Sequence, residues 1–331
     1  MNVLYAFQGT GNGHHTRAVE FLPLLKDMAE VDVWVSGGAL DRTYDVAVDR
    51  RFQGVGFSFG TQGGIDWGAS LHAFKPRTLV RDVRSLDIRG YDLVLNDFEP
   101  LTAWAAKRQG VPVVGLSHQA AVKHPSSPKP SKSDTIAARI LENYAHADVE
   151  IGFHFQRYAP EIRTPVIRRK VREMAVTNFG HITVYLPAYG EQALMQMLRE
   201  FPEVTWEVFS RHWSVPSTQG HVRFLPASSD GFLKSMASSA GVLCGAGFET
   251  PAEALFLQKP LFVVPMRGQF EQQCNAAALS QMGVPSVPEF GRDAVAALRQ
   301  WLNNPLIVDV DYPDESQEVL QQALRTAAVK M

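Results

Sequence analysis

The chain has few cysteines, no strong charge of either sign and no long apolar run. Its two cysteines, Cys244 and Cys274, are too few for a disulfide framework or a cysteine metal cage, so a reducing compartment, the cytoplasm, is expected. The 32 Lys and Arg residues against 34 Asp and Glu give a formal net charge of -2, which argues against nucleic acid as a partner. No apolar run approaches the roughly 20 residues that a membrane-spanning helix needs.

Short apolar runs alternate with helical patterns instead, which predicts an α/β fold with parallel sheets. The first run, Val3–Phe7, leads directly into a glycine turn, so it is expected to be a strand and not a signal peptide. The pattern restarts after a proline-containing segment near 158–170, and 331 residues are enough for two cores. We predict an N-terminal Rossmann-like domain at 1–163, a C-terminal one at 164–314, and a helix at 315–331 that packs back on the first domain.

A glycine-rich loop follows the first strand and reads Gly9-Thr10-Gly11-Asn12-Gly13-His14. Glycines at this place let the backbone approach a ligand closely. A dinucleotide is disfavoured, because His14 occupies the place of the third motif glycine and no acid follows the second strand. A helix N-terminus keeps an imidazole neutral, so we predict His14 as the general base for an acceptor hydroxyl. Capping or packing is the structural alternative.

Further candidates follow the carboxyl ends of later strands. Asp97, in the segment NDFEP, is predicted to bind the second nitrogen of His14, with helix capping as the alternative. Glu99 lies in the same segment and His118 follows the next strand. Both are predicted to line an acceptor pocket, with helix capping before Pro100 as the alternative for Glu99 and a plain loop role as the alternative for His118.

The densest set of ligand-binding candidates lies in 244–275, CGAGFETPAEALFLQKPLFVVPMRGQFEQQCN. Its first helix contains Thr250-x-x-Glu253 with Pro251 between them, which predicts a capping box. The free amides of that helix start, near Gly247, suit a pyrophosphate, and Glu253 suits ribose hydroxyls.

The second helix of this stretch follows a buried strand at Leu261–Val264 and opens with Glu271, Gln272 and Asn275. Carboxylate and amide side chains offer directional acceptors and donors, which sugar hydroxyls require. A solvated helix start is the alternative.

These motifs resemble GT-B glycosyltransferases, in which two Rossmann-like domains face each other across a cleft. The stretch GAGFETPAEALFLQKP, continued by FEQQCNA, is similar to their nucleotide-sugar donor signature. The loop GTGNGHHTR is similar to their acceptor-side Gly-x-Gly-His loop. The segments DFEP, EQQCNA and PVIRR resemble a bacterial and archaeal branch near the lipid II-forming N-acetylglucosaminyltransferase.

The resemblance implies an inverting, metal-independent sugar transfer from a nucleotide-sugar, with a UDP-sugar favoured and no cofactor required. It implies that Glu253 binds the donor ribose and that Glu271 and Gln272 contact the sugar. Near Leu225, main-chain groups would contact the nucleobase. The remaining donor-binding residues implied in this way are Gly11, Gly13, Gly247, Thr250 and Asn275.

The sequence departs from the donor signature at three places. Gly245 replaces the histidine that contacts phosphate in many relatives, Glu271 replaces the usual Asp, and Gln258-Lys259 replaces the usual glycine before the strand. The motif Asp309-x-Asp311 imitates the metal motif of the other transferase fold, but it lies in a proline-flanked tail. No metal site is therefore predicted.

Two other functions stay open at this stage: a sugar-nucleotide epimerase of similar fold, and a non-catalytic nucleotide-sugar-binding protein. The acceptor is expected to be a glycan, a lipid or a small molecule. A basic helix with nearby aromatic residues suits peripheral contact with the inner face of a membrane, although a solvated helix explains it as well. The residues concerned are Arg77, Arg81, Arg84, Trp67 and Phe74.

Overall fold

Two β-sheets covered by helices make up the part of the chain that the computed structural model describes. This part comprises residues 1–38, 43–54, 76–131, 135–210 and 213–330. Helices join most of the consecutive strands in each sheet, as the alternating sequence pattern predicts.

The first sheet has seven parallel strands within the described residues, in the order β3-β2-β1-β4-β5-β6-β7. Residues Val3 to Phe7 of the central strand have no exposed surface, as expected for a strand that is buried on both faces. The strand bounds are β1 (Asn2–Gln8), β2 (Glu30–Ser36), β3 (Arg50–Phe52), β4 (Leu93–Asp97), β5 (Val113–Ser117), β6 (Val149–Phe153) and β7 (Ile162–Arg163).

The second sheet has six strands within the described residues, in the order β10-β11-β9-β8-β12-β13. Its strands pair in parallel except at the edge, where β10 pairs antiparallel with β11. The strand bounds are β8 (Ile182–Tyr185), β9 (Trp206–Ser210), β10 (Ser217–Gln219), β11 (Val222–Pro226), β12 (Gly241–Gly245) and β13 (Leu261–Val264).

Most described helices occur where the sequence pattern places them, but His118–Lys123 is helical where a loop was expected. Strands β3, β6, β7 and β10 were not predicted, because each is short or lacks a distinct apolar run. The helix bounds are α1 (Gly13–Lys26), α2 (Pro76–Ser85), α3 (Pro100–Gln109), α4 (His118–Lys123), α5 (Thr135–Asn143), α6 (Arg169–Arg172), α7 (Glu191–Leu198), α8 (Ser229–Ser238), α9 (Glu249–Phe256), α10 (Phe270–Gln281), α11 (Arg292–Asn303) and α12 (Ser316–Lys330).

The last helix, α12, returns to the first sheet as predicted, where it packs on α1, β4 and β5. Val319 and Leu320 are buried in the hydrophobic cluster of the first sheet. Polar contacts hold the same region, since Arg157 pairs with Glu315 at 2.7 Å. The domain boundaries at 163 and 314 stay a prediction.

One hydrophobic cluster contains residues of both sheets. Phe21 and Leu95 from the first half belong to it together with Leu255 and Val263 from the second half. The two halves are therefore in direct contact, and their strand ends border a common cleft.

The predicted basic helix is present as α2, in which Arg81 and Arg84 are exposed. Trp67 and Phe74, its proposed aromatic partners, lie outside the described residues. No described helix is long and apolar enough to cross a bilayer.

Candidate active site

A cavity of about 590 Å³ lies between the two sheets, at the carboxyl ends of their strands. The last residues of β8 and β9, Tyr185 and Ser210, border it from the second sheet, and Gln8 of β1 borders it from the first. Eight of the predicted site residues line this cavity: Gly11, Gly13, His14, His118, Gly247, Thr250, Glu271 and Gln272.

His14 and Asp97 are in contact, as their positions after two adjacent strands suggested. Strand β1 pairs with β4 so that Phe7 lies opposite Asp97, the last residue of β4. His14 is the second residue of α1, which begins directly after the glycine loop. Its Nδ1 lies 2.7 Å from Oδ1 of Asp97. Nδ1 is thereby held by the carboxylate, and Nε2 is left to take a proton from a ligand in the cavity.

Arg17 joins this pair, a residue that the sequence reasoning missed. It lies one helical turn after His14, and its Nε and Nη2 donate to Oδ2 and Oδ1 of Asp97 at 2.8 and 2.9 Å. Burial opposes the ionisation of Asp97, but Arg17 and His14 outweigh it and lower the pKa of Asp97 to about 2. The helical i, i+3 spacing in GHHTR was the available signal.

Glu249 reaches this cluster from the second half of the chain. Its Oε1 accepts a hydrogen bond from Nη1 of Arg17 at 2.6 Å. A methyl group added to Gly13 would overlap the Glu249 carboxylate. The Glu249 carboxylate therefore gives a second reason for glycine at this position, while the predicted ligand contact of Gly13, which lines the cavity, stays a prediction.

Helix α9 begins two residues earlier than a capping box with Thr250 as its N-cap requires. Glu249 is its first residue, and the preceding Phe248 provides no side-chain cap. Thr250 and Pro251 therefore lie inside the first turn, and the predicted Thr250-x-x-Glu253 capping box is wrong. The free backbone N–H groups of the first turn border the cavity instead, because residues 247–250 line it.

Glu253 does not line the cavity. It is buried, and both of its carboxylate oxygens accept hydrogen bonds from Arg168, at 2.5 and 2.6 Å. Burial raises the pKa of Glu253, although Arg168 opposes this shift. This placement corrects the predicted ribose contact, because a buried carboxylate needs a cationic partner and Arg168 already supplies one.

Gln272 and Glu271 line the cavity at the start of α10. Oε1 of Gln272 accepts the Met266 backbone N–H at 2.9 Å, which leaves its amide nitrogen as a donor. Oε2 of Glu271 accepts from Gln119 at 2.9 Å, and burial raises the pKa of Glu271. A side chain at Gly245, where many relatives have histidine, would begin 3.6 Å from Oε1 of Gln272.

His118 and Asn275 form a contact between the two halves of the chain. The ring nitrogens of His118 lie 2.7 Å from the Phe153 carbonyl oxygen and 2.8 Å from Oδ1 of Asn275. Its ring stacks on Phe248 at 3.9 Å, and burial lowers its pKa to about 4. Asn275 also donates to the Ala246 carbonyl at 3.0 Å and does not line the cavity, which corrects its predicted place among the donor-binding residues.

Glu99 and Leu225 are also away from the cavity. Glu99 is the N-cap of α3 and accepts the backbone N–H groups of Leu101 and Thr102, both at 2.7 Å. The hydroxyl groups of Ser36 and Thr102 donate to it as well. The predicted acceptor-pocket role of Glu99 is wrong, because helix capping uses both oxygens. Leu225 is half-buried in β11, outside the cavity lining.

An apolar wall next to His14 was not predicted from the sequence. Phe98 has a φ of 58°, a left-handed conformation that side chains other than glycine adopt only when their surroundings enforce it. Its ring stacks on Tyr144 at 4.6 Å and lies nearly parallel to the His14 ring, with centroids 6.4 Å apart. The wall continues along α5 with Ala137, Ile140 and Leu141.

Within the described ranges, no group of three or more His, Cys, Asp or Glu side chains is arranged to hold a metal ion.

Comparisons with known proteins agree on the fold. Residues 1–303 match the family model described as Glycosyl transferase family 1, whereas no curated protein matches the chain significantly. The chain is similar to the crystal structure of Acinetobacter baumannii MurG, with 16% identity, coverage of 98% of this chain and 99% of that chain, and a TM-score of 0.60.

Two ligand-bound structures are also similar. The first is Phytolacca americana UGT2 complexed with UDP-2fluoro-glucose and pterostilbene, with 13% identity, 99% and 93% coverage and a TM-score of 0.57. The second is the Streptomyces sp. SF2575 glycosyltransferase SsfS6 complexed with thymidine diphosphate, with 15% identity, 99% and 95% coverage and a TM-score of 0.54. At these identities the similarity shows the fold alone.

Proposed function

Because the chain belongs to glycosyl transferase family 1 and is a glycosyltransferase with the GT-B fold, we propose that it moves a sugar from a nucleotide-sugar to an acceptor hydroxyl with inversion and without a metal ion. The contact between His14 Nδ1 and Asp97 Oδ1, 2.7 Å long and at the edge of the shared cavity, carries this proposal. Nε2 of His14 takes the hydroxyl proton while the acceptor oxygen attacks the anomeric carbon. Asp97 orients the ring and stabilises the imidazolium that forms.

The nucleotide diphosphate leaves toward the start of α9, where residues 247–250 border the cavity. Free backbone N–H groups and the helix dipole stabilise the negative charge of a departing diphosphate, so no metal ion is required there. The UDP-2fluoro-glucose bound to UGT2 and the thymidine diphosphate bound to SsfS6 support a nucleotide-sugar donor. UDP is the favoured nucleotide.

Inversion follows from this arrangement of the two reactants. The base belongs to the first half of the chain, and the proposed diphosphate site belongs to the second half. An acceptor oxygen activated at His14 attacks the anomeric carbon from the side opposite to the leaving group, which inverts that carbon in a single displacement. Gln272 and Glu271 hold the sugar between the two groups, and contact between the halves limits hydrolysis by excluding water.

The acceptor lies against the apolar wall formed by Phe98, Tyr144 and α5. Three apolar residues of that helix, Ala137, Ile140 and Leu141, line the cavity next to the two rings. This lining favours an acceptor that carries its hydroxyl on an apolar or ring-containing body. Arg81 and Arg84 on α2 are exposed and suit contact with an anionic membrane surface, which a lipid-linked acceptor would require.

A two-part experiment tests the proposal. Thermal shift with UDP-, GDP- and dTDP-sugars identifies the donor, because a ligand at about 100 times its Kd stabilises a protein by about 2.7 kcal/mol. Mass spectrometry then follows the donor with and without a panel of apolar alcohols and phenols. Glycosylated acceptor supports the transferase. Acceptor-free conversion of the donor would support the epimerase, and donor binding without turnover would support the non-catalytic protein.

A further inference from the structure

A charge cluster joins the two halves of the chain beside the proposed base, and it is buried except at Glu249, which is partly exposed to the cavity. Asp97 has no exposed surface, and Arg17 retains only 2%. Arg17 donates to Asp97 with Nε and Nη2, and to Glu249 with Nη1. Asp97 and Arg17 belong to the first half, whereas Glu249 is the first residue of α9 in the second half. One guanidinium therefore connects two carboxylates from different halves.

The charges in this cluster determine how easily His14 accepts a proton. Arg17 and Asp97 carry opposite charges and largely cancel each other at His14. Without Glu249, the added proton would make the cluster positive in a buried place, which is unfavourable. With Glu249 ionised, the cluster carries one negative charge before the proton arrives and none afterwards. Glu249 thus supplies the charge that balances the imidazolium.

We propose that Glu249, acting through Arg17, makes His14 able to take the acceptor proton, so that the base is competent only while the two halves of the chain are in contact. This inference rests on the proposed function of His14. Arg17 and Glu249 are positioning residues, because they act on the reaction through His14 and Asp97.

Other titratable groups near the cluster do not replace Glu249. Tyr5 interacts with Asp97 and Arg17, but burial raises its pKa well above the ordinary value, so it stays neutral. Glu271 also faces His14 and Arg17, yet its bonded partner is Gln119 and burial raises its pKa. Among the described carboxylates, Glu249 is the one from the second half that is hydrogen-bonded to Arg17.

The backbone around the cluster is shaped for this contact. Gly13, directly before His14, leaves the space that the Glu249 carboxylate occupies, because any side chain there would overlap it.

The imidazole titration of His14, followed by NMR on the full chain with labelled histidines, tests the inference without substrate. Comparison with His14→Ala assigns the signal. In Glu249→Gln the titration midpoint should move to lower pH by about one unit or more, because the variant removes a unit charge that the Arg17 guanidinium links to the His14 ring. Glu249→Asp keeps the charge and should restore most of the midpoint. Glu20→Gln removes a half-buried carboxylate from α1, the helix that contains His14, and should leave the His14 midpoint unchanged.

An unchanged midpoint in Glu249→Gln, or an equal shift in Glu20→Gln, would overturn the inference. The acid limb of the pH–rate profile for transfer should shift with the NMR midpoint, which a purely structural role of Glu249 would not cause. The NMR titration needs no donor or acceptor, so it separates this inference from the proposed function. If the His14 midpoint shifts as expected in Glu249→Gln but the unmodified chain transfers no sugar, the proposed function is contradicted and this inference is not. Loss of fold in Glu249→Gln is checked by its circular dichroism spectrum, and Glu249→Ser, a second variant that removes the charge, replaces it in that case.

Discussion

Nδ1 of His14 lies 2.7 Å from Oδ1 of Asp97, although 83 residues separate the two in the chain. Parallel pairing of β1 with β4 brings the two strand ends together, and α1 then presents His14 to the carboxylate. The contact fixes one ring nitrogen and leaves the other for the cavity. A base that is oriented in this way gives specific expectations for substitutions at either residue.

His14→Ala should reduce transfer by about 10²- to 10⁴-fold, the contribution typical of a positioned general base. Affinity for UDP should stay within about threefold, because the proposed diphosphate site lies at α9. Initial-rate kinetics and isothermal titration with UDP measure the two quantities. His15→Ala is the matched control, since the neighbouring imidazole accepts the Asp45 N–H and does not line the cavity. Equal activity in the two variants would reject His14 as the base.

Asp97→Asn should lower both kcat and stability. An amide binds imidazole and guanidinium more weakly than a carboxylate does, and Arg17 would lose its buried counter-charge. Breaking such a buried pair destabilises a protein by about 3 kcal/mol. Urea unfolding and the pH–rate profile of the variant measure these effects. Asp92→Asn, at the opposite end of the same pair of strands, is the control, because among the described residues the Asp92 carboxylate accepts the Asn2 N–H. A kcat equal to that of the unmodified chain would contradict the orienting role.

Glu253→Ala should reduce stability by about 3 kcal/mol, because Arg168 is left without its partner in a mostly buried place. UDP affinity should change by less than about threefold, because Glu253 does not line the cavity. Urea unfolding and titration with UDP give both values. The double variant Glu253→Leu with Arg168→Met should recover much of the stability, since apolar replacement of a buried pair is often neutral. A loss of UDP affinity in this double variant would restore the ribose role that the resemblance implied.

Stability should fall as the pH is lowered from about 6.5 toward 4, because of His118. Burial lowers the pKa of His118 to about 4 in the folded chain, below the unfolded value of about 6.5. Between these values the unfolded chain binds a proton that the folded chain does not, so acid favours unfolding. Between pH 7.5 and 5 this amounts to about 2 kcal/mol. Urea unfolding at both pH values should show that His118→Gln loses less unfolding free energy between pH 7.5 and 5 than the unmodified chain does, whereas His124→Gln should lose as much.

Several parts of the fold and site follow from local sequence patterns. The glycine loop before His14 and the segment that holds Asp97 both follow apolar strands, and the ends of adjacent parallel strands meet at one edge of a sheet. The position of Gln272 at a helix start was predictable in the same way. In these cases the local pattern places a residue at a strand end or a helix start, and the α/β topology brings those ends together, whereas the return of α12 to the first sheet depends on long-range packing.

Other parts depend on partners that are distant in sequence. Glu253 matches a capping box in its local pattern, but Arg168, 85 residues earlier, pairs with it. Arg17 bonds Glu249, which lies 232 residues further along. Which side chains form such pairs depends on how the two sheets pack, and no periodicity in a single sequence indicates that packing. Glu99 differs from these, because the local capping alternative was available and the acceptor role was preferred in error.

Gln258 has a left-handed backbone conformation at a position where the sequence departs from the family pattern. The sequence has Gln258-Lys259 where the donor signature usually has glycine, and Gln258 has a φ of 53° directly after α9. A left-handed residue at a helix end favours glycine, because a side chain crowds the backbone there. Gln258→Gly should therefore stabilise the protein by about 0.5–1 kcal/mol, measured by urea unfolding, with unchanged transfer activity, since Gln258 is exposed and does not line the cavity.

The opposite change at α3 is the control for this prediction. Gly110 ends that helix with a φ of 73°, and a methyl group added there would meet no heavy atom within 4 Å. Gly110→Ala therefore adds the dihedral strain alone and should destabilise the protein by about 1 kcal/mol. If Gln258→Gly lowers stability while Gly110→Ala behaves as expected, contacts of the Gln258 side chain outweigh the strain of its backbone. In that case the left-handed backbone conformation would not explain why the family pattern has glycine at this helix end.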